Sequence, residues 1–150
     1  MPSQNLHIFV EDHELCGSVI RGQDKGDYAT ALQEWRPLAE QGDAHAQFQL
    51  GNMYSLGKGV PKDDAEALKW YRKAAEQGYV NAQLNLGVMY YFGGGVPVNS
   101  VKAYMWWSLA KAQGNEDAAK GLYIIEKEMT PAEITKAQAL ADEWWEKHNN

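Results

Sequence analysis

Apolar residues in this chain recur at spacings of three and four, which predicts amphipathic helices rather than strands. One apolar stripe runs through Ala46, Leu50 and Met53, and a second contains Trp70 and Ala74. A glycine-rich segment separates the two stripes, so each belongs to its own helix. The pattern therefore predicts a pair of helices joined by a short turn.

Turn and capping residues mark the boundary between the two predicted helices. Gly57 and Gly59 permit left-handed backbone, and Pro61 prevents the first helix from continuing. Asp63 lies three residues before Glu66, which is the spacing of a capping box at the start of a helix. Each unit is therefore predicted to be helix, turn, helix.

The helix pair occurs twice without a gap, because residues 44–79 repeat as residues 80–115, a period of 36. The matches include Ala46 with Ala82, Gln47 with Gln83, Gly51 with Gly87, Tyr54 with Tyr90, Trp70 with Trp106, and Gln77 with Gln113. A unit of this length is too short to bury its own apolar face, so it has to stack on a neighbour. We expect the matched small residues to let helices approach closely and the matched aromatic residues to fill the wider gaps.

The period extends weakly in both directions and defines five segments of one folded domain. They are an N-terminal tail (1–10), a leading helix pair (11–43), two full repeats (44–79 and 80–115), and a degenerate half repeat followed by a capping helix (116–147). Within the leading pair, we expect a helix from about Gly26 to Glu40, preceded by a helix over about 11–21. Residues 117–128 are predicted to form a final helix equivalent to the first helix of each repeat.

A strong start signal precedes the C-terminal helix. Thr130 has the position of the N-cap, Pro131 that of the first helical residue, and Glu133 that of the capping-box glutamate. The predicted apolar side consists of Ile134, Ala137, Leu140, Ala141, Trp144 and Trp145. We expect this helix to cap the open end of the array.

The order of motifs in the repeated unit resembles the Sel1-like repeat (SLR), a relative of the tetratricopeptide repeat (TPR). The motifs are Ala-Gln, Leu-Gly, Tyr, Gly-x-Gly-Val-Pro, Ala, Trp, Ala and a closing Gln-Gly, and they cover about Gly26 to Gly114. The C-terminal helix is similar to the tail of many bacterial members. The resemblance implies an all-α fold, a right-handed α/α superhelical solenoid of SLR/TPR-like helix-turn-helix repeats, and a role as scaffold or adaptor.

In TPR-like folds the first helix of each unit lines a concave groove, and the resemblance carries this role to positions that differ between the units. We call these positions the groove residues. They are His45, Phe48, Gln49, Asn52, Ser55, Leu56, Asn81, Leu84, Asn85, Val88, Tyr91, Phe92, Lys120 and Gly121.

Two interpretations of the groove residues stay open. The aromatic and leucine side chains suit a groove that takes a peptide, with Asn52 and Asn85 bonding its backbone. Alternatively, Phe48, Leu84 and Phe92 only pack between units. A clamp for a terminal carboxylate is disfavoured, because the two asparagines lack basic neighbours in register apart from Lys120, and solvated helix amides are the simpler explanation.

Charge and composition narrow the classes of partner. A net charge of -6 argues against nucleic acids and anionic membrane surfaces, both of which require basic faces. No apolar run approaches the roughly 18 residues that span a bilayer, so we expect no membrane insertion. Residues 1–10 lack the basic start and apolar stretch of a secretory signal, and Cys16 is the single cysteine, so a cytoplasmic location is favoured. A processed periplasmic or secreted form is the alternative.

The sequence gives little support for a metal, a cofactor or catalysis. His7, Glu11, His13 and Cys16 are metal-ligand types in a short span, but their spacing fits no closed tetrahedral site. His45 and Ser55 lie on one predicted helix about 15 Å apart, which is too far for a nucleophile and its base.

The sequence therefore predicts a non-catalytic protein-interaction module that binds a protein or peptide in its concave groove, without a cofactor. The alternative is a structural, self-assembling homo-oligomer that uses Trp144 and Trp145 as an interface. A remote alternative is a small hydrolase, such as the cysteine-rich family members associated with β-lactam binding. The paired cysteines of those members are absent here.

Overall fold

The computed structural model describes residues 27–149, and these residues form seven helices and no strand. The helices are α1 (Tyr28–Glu40), α2 (Ala44–Leu56), α3 (Asp64–Glu76), α4 (Val80–Phe92), α5 (Ser100–Ala112), α6 (Glu116–Glu126) and α7 (Pro131–Asn149). Each helix from α1 to α5 packs on the next one in the chain. The predicted all-α class is confirmed, whereas the predicted tail (1–10) and first leading helix (11–21) lie outside the described residues.

Glycines in left-handed backbone form the turn within each unit. Gly93 has a φ of 83°, and its N–H donates to a carbonyl in the last turn of α4. Gly95, with a φ of 75°, lies so close to the start of α3 that a Cβ there would be 2.8 Å from the carbonyl oxygen of Asp64. Gly57 and Gly59 have the same two roles one unit earlier. The turn therefore packs each unit onto the second helix of the preceding unit.

The helix caps follow the sequence signals with one difference. The Asp63 carboxylate accepts the N–H of Glu66 at 3.1 Å, as expected of an N-cap. The N–H of Asp63 donates to the carbonyl of Tyr54 at 2.9 Å, so the reciprocal half of the predicted capping box is replaced by a backbone bond. At the start of α7 both halves of the capping box form. The Thr130 hydroxyl accepts the N–H of Glu133 at 3.2 Å, and the Glu133 carboxylate accepts the N–H of Thr130 at 2.9 Å.

Close contacts between glycines and aromatic rings join the two helices of each unit. A Cβ on Gly51 would lie 2.5 Å from the ring of Tyr71, and a Cβ on Gly87 would lie 2.1 Å from Trp107. Gly121 on α6 lies against the six-membered ring of the same indole, where a Cβ would be 2.9 Å from the nearest ring carbon. These contacts confirm that the repeated small residues let helices approach closely.

A ladder of side-chain amides links neighbouring units at the same period. The amide nitrogen of Gln83 donates to the carbonyl of Ala75 at 3.2 Å, and that of Gln113 donates to the Gln83 oxygen at 2.8 Å. Gln47 and Gln77 make the equivalent bonds one unit earlier. The core itself lies between the helices, in a small cluster over α1 to α3 and a larger one over α2 to α7.

The C-terminal helix packs mainly on α5 and extends towards the end of α3. The Trp144 ring lies 6.1 Å from that of Trp106, and its indole nitrogen donates to the carboxylate of Glu76 at 3.1 Å. The buried side of α7 is narrower than predicted, because one helix supplies most of its contacts. Trp145, placed on that side by the sequence, is 42% exposed, so this expectation was wrong.

Candidate partner-binding surface

The groove residues lie on α2, α4 and α6, and they divide by burial. The buried ones are Phe48, Gln49, Asn52, Leu84, Asn85, Val88 and Gly121. The half-buried ones are His45, Ser55, Leu56, Asn81, Tyr91 and Phe92, and Lys120 is exposed. Half of the predicted lining is therefore covered by the protein itself, and a role in binding stays a prediction for all of them.

Phe48 occupies an aromatic cluster between α2, α3 and the start of α4. Its ring centroid lies 5.8 Å from that of Tyr71 and 5.1 Å from that of Tyr79. The side chain is 1% exposed. This environment is that of a core residue, and it corresponds to the packing interpretation that the sequence left open for Phe48.

Three groove-residue amides carry polar atoms that are buried without a hydrogen-bond partner. They are the oxygen of Gln49 and the nitrogens of Asn52 and Asn85. The Asn52 oxygen, in contrast, accepts the hydroxyl of Tyr71 at 2.6 Å. An unpaired buried polar group costs about 1–3 kcal/mol. The repeated glutamines of the ladder are paired, so the unpaired amides belong to the positions that vary between units.

The indole nitrogens of Trp35 on α1 and Trp70 on α3 are buried and unpaired as well. The three unpaired amides differ from these two indole nitrogens in location, because the amides lie on the first helices of the two repeats, α2 and α4. Gln49 and Asn85 occupy equivalent positions on consecutive first helices, and Asn52 lies one turn after Gln49. An acceptor and two donors thus follow the surface that the sequence assigned to the groove.

His45 lies in a polar cluster at the start of α2. Its Nδ1 is 2.7 Å from the hydroxyl of Tyr79, and its Nε2 is 3.4 Å from the amide nitrogen of Gln49. The Trp35 ring meets the imidazole edge-on at 5.3 Å. These contacts engage both ring nitrogens, and no hydrogen bond joins His45 to Ser55 within the described residues.

Tyr91 connects α4 to the turn after α6. Its hydroxyl donates to the carboxylate of Glu128 at 2.7 Å, and its ring contacts those of Phe92 and Trp107 at 4.8 and 5.6 Å. Partial burial raises the pKa of Tyr91 to about 12, and the hydrogen bond and negative charge of Glu128 act in the same direction. The phenol therefore remains protonated and bonded over the physiological range.

Several contacts near the groove residues involve Arg36, Arg72 and Tyr79, to which the sequence assigned no role. Arg36 donates to the hydroxyl of Tyr54 at 2.8 Å, and Arg72 donates to that of Tyr90. The second pair lies one period of 36 after the first, so the repeat in the sequence indicated that the two pairs are equivalent. Tyr79 carried no such signal, because its equivalent in the next unit is Asn115.

The described residues contain no group of three or more His, Cys, Asp or Glu side chains able to hold a metal ion. The N-terminal ligand types weighed above, His7, Glu11, His13 and Cys16, lie outside those residues. Between residues 27 and 149, no helix is both long and apolar enough to cross a membrane. Trp144, which the self-assembly alternative places at an interface, is buried against Trp106.

Comparisons with known proteins agree with this architecture. A family model of the Sel1 repeat matches residues 44–79 and 80–115. The chain is similar to the crystal structure of a protective antigen of uropathogenic Escherichia coli strains that displays an SLR fold. Identity is 35% and the TM-score is 0.82 over 93% of this chain. It is also similar to a Sel1 repeat protein from Oxalobacter formigenes, with 40% identity and a TM-score of 0.64 over 65% of this chain.

The chain spans 30% and 28% of the lengths of those two proteins. No curated protein matches it. Sel1 repeats typically mediate protein interactions, and the family is generally non-catalytic. The period of 36, the glycine and aromatic contacts and the two matched repeats lead to one assignment: the chain is a Sel1-like repeat protein with a solenoid fold.

Proposed function

We propose that this chain is a non-catalytic protein-interaction module that binds an extended peptide segment along α2 and α4. The unpaired amides of Gln49, Asn52 and Asn85 are the observation that carries the proposal. A folded chain gains nothing from leaving such groups unpaired, because each one opposes folding. A partner that bonds them recovers this free energy on binding.

The chemistry of the three atoms matches a peptide backbone. The nitrogens of Asn52 and Asn85 donate, and the oxygen of Gln49 accepts, so together they complement backbone carbonyl and N–H groups. These atoms are shielded in the free chain. Binding therefore requires half-buried side chains at the rim to move aside, and Tyr91 and Phe92 are the ones we assign to this role.

The segment boundaries read from the sequence belong to the same proposal. The two full repeats supply α2 to α5, α1 of the predicted leading pair (11–43) packs on α2, and the predicted segment 116–147 closes the other end. In this scheme the recognition residues lie in the middle of the array. They are supported on both sides, which holds their backbone rigid.

Peptide selection followed by a single substitution tests the proposal. Peptides are selected from a random phage-displayed library on the natural chain, and their Kd values are measured on Asn85→Leu. This variant removes the unpaired nitrogen at similar volume, so its free energy of unfolding should be unchanged or raised. Loss of one buried hydrogen bond should weaken binding by about tenfold to a hundredfold.

The matched control is Gln33→Leu, which replaces an exposed amide on α1. It should leave Kd unchanged. The proposal fails if no peptide is enriched, or if enriched peptides bind Asn85→Leu as tightly as they bind the natural chain.

A further inference from the structure

Helix α6 has an exposed aromatic residue at a position where the two complete units have glycine. Tyr123 follows Gly87 by one period, and Gly87 follows Gly51 by one period. Both glycines are buried against an aromatic ring of the second helix in their unit. The Tyr123 side chain is 64% exposed. The same helix face that is covered in α2 and α4 is therefore open in α6.

The position of α7 explains why this face is open. α7 packs mainly on α5, so it does not take the place on α6 that α3 takes on α2 and α5 takes on α4. Two neighbouring positions on α6 are open to solvent in the same way as Tyr123. Ala119 is half-buried and Glu126 is exposed, whereas the equivalents of Ala119, Gln47 and Gln83, are buried.

Tyr123 also prevents another repeat helix from packing there. At the equivalent Gly87, a single Cβ would already lie 2.1 Å from Trp107, so a phenol in that register leaves no space for a helix. This applies equally to a helix from a second copy of the chain. The open face is therefore unsuited to extending the array, and a different kind of partner has to occupy it.

Two lysines neighbour Tyr123 along the chain: Lys120 lies three residues before it on α6, and Lys127 is the C-cap of that helix. The ammonium of Lys127 lies 4.0 Å from the centroid of Tyr123 and forms no salt bridge within the described residues. Lys120 is 65% exposed, and its contact with Asp117 is long, at 3.9 Å. Both ammonium groups are therefore available to carboxylates from another molecule.

The nearest carboxylates at the end of α6 have other partners. Glu126 accepts the hydroxyl of Tyr104 at 2.9 Å, and Glu128 accepts that of Tyr91 at 2.7 Å. These bonds hold both carboxylates on residues of α4 and α5. Glu116, Glu126 and Glu128 are exposed as well, but the carboxylates of the last two are held on α4 and α5, so Tyr123 is left with Lys120 and Lys127 as its neighbours, on a chain whose net charge is -6. An acidic partner is repelled by most of this chain, so its binding is concentrated where cations are free.

We propose that Lys120, Tyr123 and Lys127, here called the α6 patch, bind an acidic peptide segment of a protein partner. Carboxylates pair with the two lysines, and an apolar side chain packs on the tyrosine, which suits the centre of a small interface. This inference rests on the proposed interaction role and adds a second contact surface to it. It does not involve the unpaired amides of α2 and α4.

Fluorescence anisotropy with a labelled peptide of sequence Glu-Asp-Glu-Phe-Asp-Glu tests the α6 patch at low salt. The natural chain should bind it, and added salt should weaken binding. Lys120→Glu/Lys127→Glu should weaken binding by about tenfold or more. Tyr123→Ala should weaken it several-fold without loss of the folded state, because the side chain is exposed.

The matched control is Lys111→Glu/Lys136→Glu, which makes the same change in net charge at exposed positions outside the α6 patch. It should weaken binding about twofold at most. The inference is overturned if the peptide does not bind, or if the control weakens binding as much as the α6 variant does. It is also overturned if light scattering detects a dimer that Tyr123→Ala dissociates, because the face would then belong to a second copy.

Asn85→Leu separates this inference from the proposed function. Unchanged peptide binding by Asn85→Leu, with loss in the α6 variants, supports the α6 patch whatever becomes of the peptide selection. Loss in Asn85→Leu without loss in the α6 variants overturns the α6 patch and favours the α2 and α4 surface.

Discussion

Substitution of Gly87 by alanine tests how the two helices of one unit are held together. The new Cβ would lie 2.1 Å from the indole nitrogen of Trp107 and 2.2 Å from the adjacent ring carbon. The Trp107 ring has little freedom to move, because it is 1% exposed and its six-membered ring lies against Gly121. Its nitrogen also donates to the carbonyl of Leu84 at 3.0 Å. We therefore expect Gly87→Ala to displace the ring and break this bond.

The magnitude follows from three opposing contributions. Overpacking a filled core costs about 1–3 kcal/mol. The lost hydrogen bond of Trp107 costs about 1 kcal/mol. Replacing glycine by alanine within a helix returns about 1 kcal/mol. The net expectation for Gly87→Ala is a loss of about 2 kcal/mol in the free energy of unfolding.

Urea unfolding followed by tryptophan fluorescence measures this loss. The control is Gly94→Ala, because a Cβ on Gly94 would come no nearer than 4.0 Å to Met89. Its effect should stay within about 0.5 kcal/mol. An unchanged or raised stability of Gly87→Ala would refute the close packing of α4 on α5, since only the gain in helix propensity would then remain.

Three further predictions concern individual bonds. Because the pKa of Tyr91 is raised to about 12 by burial and by Glu128, its contribution to stability should be complete below about pH 10 and lost as pH rises through about 12. Unfolding measured across this range should show the loss, and Tyr91→Phe should remove it. Thr130→Ala should cost about 1 kcal/mol in urea unfolding through the lost cap of α7, with Thr130→Ser restoring most of it. Trp144→Phe should lower the midpoint of thermal unfolding, because it removes the indole bond to Glu76 at 3.1 Å, and an unchanged midpoint would count against that bond.

The scaffold was predictable from the sequence because identical residues at equivalent positions make identical contacts. Gly51 and Gly87 each lie against an aromatic ring, and Gln83 repeats the bonds of Gln47. The placement of α7 was not predictable in this way. Thr130 indicated where the helix starts, but its packing on α5 depends on Trp144, which has no counterpart in the repeats.

The candidate site was predictable only in part, for a related reason. Family resemblance placed Phe48 and Asn52 on the first helix, and the structure agrees with that placement. Their burial depends on Tyr79 and Tyr71, whose equivalents in the next unit are Asn115 and Trp107. The same covering cannot recur there. A period identifies what is shared between units, so it cannot predict contacts that only one unit makes.

Nitrogen-15 NMR of the side-chain amides tests directly whether a bound peptide bonds Asn52 and Asn85. A peptide selected on the natural chain is added, and the amide signals of Asn52, Asn85 and Gln83 are compared. The signals of both asparagines should shift as their unpaired N–H groups gain acceptors. The signal of Gln83, already bonded to Ala75, should stay in place. Binding of the peptide without any shift of the two asparagine signals would show that these amides do not bond the peptide.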